Sequence, residues 1–129
     1  MSYEAALGWL WKFLSLARVV KVHCHIGHLV HQNADCYFVR VTNSSPFRKA
    51  VLTEVWFDAG IRIPVINGER PLPKVLPPEE MWETWIPVSA LPAHVRAQAP
   101  TLARAKLSDG TIITSVPTPD VSPAGFVAG

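Results

Sequence analysis

A chain of 129 residues with 12 Lys plus Arg against 10 Asp plus Glu, 49% hydrophobic residues, 12 Pro and 2 Cys suits one ordinary globular domain. The balance excludes a disordered, collagenous or disulfide-stapled protein. A net charge of +2, spread along the chain without a block of like charges, gives no reason to invoke nucleic acid.

The first 17 residues are the most apolar stretch, but Lys12 interrupts them and Arg18 ends them, leaving fewer than the roughly 20 residues that span a bilayer. Glu4 leads and Arg18 follows, the reverse of a secretory signal, so the segment is expected to stay in the mature protein. Glu4, Gly8, Lys12, Ser15 and Arg18 recur at steps of four and three, a narrow polar stripe on an amphipathic helix over residues 3–18 capped by Ser2. Leu7, Trp9, Leu10, Trp11, Phe13, Leu14 and Leu16 fill the rest of that cylinder. Burying them is worth on the order of 10 kcal/mol before ordering costs, so something must cover them. The cover is the protein's own sheets, another protein chain, or a membrane interface with Trp9 and Trp11 at the headgroups and Lys12, Arg18 and Lys21 toward anionic lipid.

From residue 19 the period becomes two. Val20, Val22, Cys24 and Ile26 alternate with Lys21, His23 and His25, and Tyr37, Val39 and Val41 alternate with Phe38, Arg40 and Thr42. Those are two strands with one buried face each, the second stopped by the turn-forming run Asn43, Ser44, Ser45, Pro46. Cys24 and Cys36 fall on opposite faces, which argues against a bridge. In a third strand Ala50 and Leu52 share one parity and Val55 and Phe57 the other, so Thr53 and Glu54 mark a bulge. Residues 61–66 read as a short edge strand limited by Pro64, and residues 70–78, with four prolines, as an extended connection. Residues 82–88 form the next strand, residues 91–100 hold a helical turn at most, and residues 103–107 and 111–116 make a hairpin around Asp109-Gly110. Residues 118–129 read as a flexible tail. Six or seven short strands without crossover helices predict an antiparallel β-sandwich over residues 19–117, with a partly open barrel as the rival.

The run CYFVRVTNSSPFRKAVLTEVWFDAG over residues 36–60, with LPPEEMWETW and the hairpin LSDGTIITSVP after it, resembles a loose group of small bacterial immunoglobulin-like β-sandwich proteins of unassigned function. In that group a hydrophobic N-terminal segment precedes a strand ending in a Val-x-Asn-x-Ser motif, here Val41, Asn43 and Ser45, then a bulged strand ending near Phe, here Phe57. The resemblance covers about residues 19–117 and implies an immunoglobulin-like fold. It carries over no catalytic signature.

The distinctive polar feature is His23, His25, His28 and His31, beside Cys24 and followed by Asp35. Imidazoles at i and i+2 of a strand share a side, so His23 and His25 could chelate one zinc or copper ion with His28 or His31 reaching over from a turn. The opposing reading makes His23 and His25 solvated outer-face residues and the other two loop residues. No nucleophile elbow, phosphate-binding glycine loop or dinucleotide fingerprint is present, and Cys24 alternates with core residues. Glu79, Glu80 and Glu83 read as a solvated turn before a strand, the proline stretch as an ordered loop, and Asn43-Ser44-Ser45 as turn chemistry. Trp82 is expected in the core, and Trp56 and Trp85 on outer faces as a contact surface.

These readings converge on a non-enzymatic interaction or accessory module without a cofactor. Its helix, through Leu7, Trp9, Leu10, Trp11, Lys12, Phe13, Leu14 and Arg18, attaches it to a membrane surface or a larger assembly, a second copy included. The expected location is cytoplasmic, peripheral at a membrane where the helix attaches there. The alternative is a metal-binding or hydrolytic protein using His23, His25, His28 and His31.

Overall fold

A computed structural model of the chain describes residues 19–118. The amphipathic helix expected over residues 3–18, with Leu7, Trp9, Leu10, Trp11, Lys12, Phe13, Leu14 and Arg18, and the tail over residues 119–129 lie outside the described residues. Nine strands build two sheets: β1 (Val20–Leu29), β2 (Ala34–Asn43), β3 (Ala50–Asp58), β4 (Arg62–Pro64), β5 (Lys74–Leu76), β6 (Met81–Pro87), β7 (Ala103–Leu107), β8 (Ile112–Thr114) and β9 (Val116–Pro117). The first sheet runs β6-β2-β1-β9 and the second β4-β3-β7-β8, with β5 pairing the start of β3. All pairings are antiparallel except β1 with β9.

The period of two does the folding work. Val20, Val22 and Cys24 of β1 and Tyr37, Val39 and Val41 of β2 point inward with Trp82 and Ile86 of β6, against Leu52, Val55 and Phe57 of β3 and Ala103, Ala105 and Leu107 of β7. The small Ala103 and Ala105 let the sheets approach Phe57, which has no exposed surface. The predicted bulge is present as a register shift between Leu52 and Glu54, and it returns Val55 and Phe57 to the core face. Gly110, at φ +93°, turns the β7–β8 hairpin.

Three expectations are corrected. The proline stretch is not only a connection: its residues Lys74–Leu76 pair with Val51 and its neighbours and bury Leu76. Residues 93–101 form a nine-residue 3-10 helix instead of a single turn, and it seats Val95 and Ala99 at one end of the core. His28 belongs to β1, not to a turn, because β1 and β2 continue as a hairpin to a short 3-10 turn at Val30–Gln32, where Asn33 takes the left-handed conformation at φ 48°.

One end of the body carries Val19, the β2–β3 loop, the β5–β6 turn and the β7–β8 turn. Asn43 organises it. Its buried Nδ2 donates to the carbonyls of Arg48 (2.8 Å), Leu76 (3.1 Å) and Pro77 (3.2 Å), while Oδ1 accepts from the Ser45 amide at 3.1 Å. Ser45 Oγ then accepts from the amides of Phe47 (3.3 Å) and Arg48 (3.0 Å). This is the turn chemistry expected at Asn43-Ser44-Ser45, extended to tie β2, the β2–β3 loop and β5 together.

Candidate functional site

The outer face of the first sheet is where the sequence reading placed its polar and aromatic residues. Register sorts them into rungs across β1, β2 and β6: Lys21 beside Thr42 and Met81, His23 beside Arg40 and Glu83, His25 beside Phe38 and Trp85, and Gly27 beside Cys36 and Pro87.

The third rung is a continuous row of flat groups. His25 stacks on Phe38 with centroids 5.4 Å apart and planes at 13°, and Phe38 meets Trp85 at 6.0 Å and 48°. The Arg70 guanidinium, from the loop before β5, lies 4.8 Å over the Trp85 ring and its Nε donates to the Glu83 carbonyl at 3.0 Å. Such pairs are worth about 0.5–1.5 kcal/mol each beyond burial. Gly27 has a specific reason to be glycine here: a Cβ would stand 2.8 Å from Phe38 Cε2, so the ring lies across bare backbone. Thr118 Oγ1 comes within 3.5 Å of His25 Nδ1 at the far end of the row.

The second rung is electrostatic. Arg40 Nη2 stands 3.6 Å from Glu83 Oε2, while its buried Nε has no hydrogen-bond partner among the described residues. Partial burial, then the positive charges of Arg40 and Lys21, hold the His23 imidazole below its ordinary value.

Of the four histidines proposed as metal ligands, His23 and His25 share this face. His28 has the opposite parity and pairs through Nδ1 with Asp35 Oδ1 at 2.9 Å, and His31 is exposed on the hairpin tip. Among the described residues no three His, Cys, Asp or Glu side chains gather as an ion site. Strand alternation is the reason: an i, i+5 pair on one strand cannot face the same way. Cys24 faces the core and burial pushes its thiol up to about 12, so it supplies no thiolate at neutral pH. Cys36 is buried and free as well, its thiol raised by burial and then by Asp35.

Trp82 lies in the core as expected, and Trp85 is half-buried in the outer row. Trp56 does sit on the outer parity of the second sheet, but it offers no open contact surface. Arg62 covers its ring at 3.9 Å and bonds Glu54 Oε1 at 2.8 Å, with Lys106 Nζ 3.9 Å from the other carboxylate oxygen.

The residues the sequence reading did not assemble are Phe38, Arg40 and Arg70. Phe38 was on the right parity, and pairing the two first strands as a hairpin would have set it against His25. No local signal brings Arg70 to Glu83, because it arrives from a separate loop. What results is a flat aromatic and guanidinium surface suited to stacking on planar or apolar groups, with no activated nucleophile in it.

Among the described residues no helix is long and apolar enough to cross a membrane. Comparison with protein-family models, with curated proteins and with solved structures finds no match for this chain.

Proposed function

We propose that this protein is a non-enzymatic interaction module, an immunoglobulin-like sandwich that its N-terminal segment attaches to a membrane surface or a larger protein assembly. The observation that carries this reading is the closed core. Leu52 and Phe57 of the second sheet and Val39 and Val41 of the first have no exposed surface, so the two inner faces already fill each other. That leaves no interior berth between the sheets for Leu7, Trp9, Leu10, Trp11, Phe13 and Leu14. The outer face of the second sheet is taken up by the Glu54, Arg62 and Lys106 charges around Trp56.

Strand order supports the immunoglobulin-like part. β1, β2 and β6 in one sheet facing β3, β7 and β8 in the other follows the A-B-E against C-F-G partition of that architecture, with β4 and β5 on the outer edge of the C strand. The likeness to small bacterial sandwiches rests on the same elements, and the row from His25 to Arg70 is the surface such a module would present to a partner.

The test compares the full chain with one beginning at Val19, both first shown by circular dichroism to hold the same β structure. Sedimentation with lipid vesicles and analytical ultracentrifugation of the protein alone are the readouts. The reading expects the full chain to sediment with vesicles or to self-associate, and the shortened chain to do neither. Identical behaviour of the two would refute it.

A further inference from the structure

We infer that the end of the body holding Phe47, Arg48 and Lys49 is the face that rests on an anionic phospholipid surface, with Phe47 as an inserted wedge. This deepens the attachment reading above and depends on it. Phe47 is the most exposed large apolar side chain among the described residues, at 88%. It stands on a loop that is held rather than loose: the Phe47 and Arg48 amides both donate to Ser45 Oγ, and the Arg48 carbonyl accepts from Asn43 Nδ2 at 2.8 Å. A solvent-facing phenyl ring on a fixed backbone gains nothing for folding, and the next two residues, Arg48 and Lys49, are exposed basic side chains.

The position of the chain exit selects the partner. The Ser44 amide donates to the Val19 carbonyl at 2.7 Å, so the 18 residues before Val19 join the body three residues from Phe47, through Arg18. The point where the apolar segment with Trp9 and Trp11 joins the body and the exposed Phe47, followed by two basic residues, therefore share one end. That combination fits an interfacial lipid contact: an apolar wedge below the headgroups and cations at their level. A 380 Å³ cleft beside the loop is lined by Arg48, Lys49, Ser108 and Asp109 among others, two cations and one carboxylate. Glu79, Glu80 and Asp109 share this end, so the attraction belongs to the loop and not to the end as a whole. Of the other exposed apolar residues, Val75, Met81 and Ile112 share this end, while Ile26, Val30 and Ile61 are toward the opposite end, with Asp35 at the start of β2 and Asp58 at the end of β3.

The experiment uses the full chain. Cys24 and Cys36 are buried, so a Phe47→Cys variant takes an environment-sensitive dye at one place, and a Val30→Cys variant provides the same label on the β1–β2 hairpin tip at the opposite end. Vesicles of phosphatidylcholine mixed with phosphatidylserine should shift the label at 47 to the blue and leave that at 30 unchanged, and phosphatidylcholine alone should shift neither. Sedimentation of an Arg48→Gln, Lys49→Gln variant should show binding to the mixed vesicles weakened about twenty-five-fold, the product of about fivefold for each cation. If the unaltered chain sediments but the double variant binds as well, or the label at 30 responds like that at 47, this inference falls while attachment stands. If the unaltered chain sediments with neither vesicle, the inference and the membrane reading beneath it fall together.

Discussion

Replacing Asn43 is the most direct probe of how the body is held. Asn43→Ala removes two N–H donors serving three carbonyls and one acceptor serving the Ser45 amide, at a site only 1% exposed. At about 1 kcal/mol for each of the two lost donor bonds, and about 1–2 for the Ser45 N–H left buried and unpaired, the loss is about 3–4 kcal/mol. That is a large share of the roughly 5–15 kcal/mol that holds a domain together. Urea unfolding followed by circular dichroism measures it, with an unchanged m-value showing that the native and unfolded states are otherwise alike. Asn43→Asp keeps the shape but aims a carboxylate at the carbonyls of Arg48, Leu76 and Pro77, so folding disfavours its charged form and raises its folded pKa. The variant should then recover stability as pH falls, since the protonated acid regains one donor. A loss under about 1 kcal/mol in Asn43→Ala, or an Asn43→Asp deficit that does not change with pH, would refute the reasoning.

Arg70→Ala should both destabilise and expose. It takes the guanidinium off Trp85 and the Nε bond from the Glu83 carbonyl, about 1–2 kcal/mol, and leaves the outer edge of β6 bare. Urea unfolding reads the first effect and concentration-dependent association in sedimentation velocity reads the second, so a monomer of unaltered stability would contradict both. For His23, the folded imidazole lies below the ordinary 6.5, so folding favours its neutral form. Its contribution is complete above about pH 6.5 and is lost as pH falls through the folded value. His23→Gln should accordingly flatten the acid limb of a stability-against-pH curve, and superimposable curves would show that the burial and the Arg40 and Lys21 charges do not act on it.

Much of the fold is legible because alternation is a local signal. Residues 20–26 and 37–42 reveal their inner faces directly, and the change of parity at Thr53 and Glu54 reveals a bulge before any partner is known. What escaped the sequence depends on long-range pairing or on weak periods. β5 is three residues between prolines and is a strand only because β3 is there to pair with it. The helix at Ala93–Thr101 has three residues per turn and a proline inside it, so no 3.6-residue stripe announces it. The same division runs through the site. The shared side of His23 and His25 was readable from spacing, whereas the rungs needed the register of three strands, and Arg70 needed a loop to fold back onto an edge.

The parallel pairing of β9 with β1 has a consequence for how this protein is made. Thr118 reaches His25 across 93 positions of chain, after Ser115 has bridged the β8–β9 crossing by donating to the Pro100 carbonyl at 2.8 Å and accepting from the Ala103 amide at 3.1 Å. On a ribosome, β1 and β2 emerge before β3 to β8, and β1 waits through all of them for its neighbour β9. Throughout that interval the open flank of β1, with Ile26 beside it, is available to another nascent chain, so holding the growing polypeptide apart from its siblings matters most before residue 118 clears the exit tunnel.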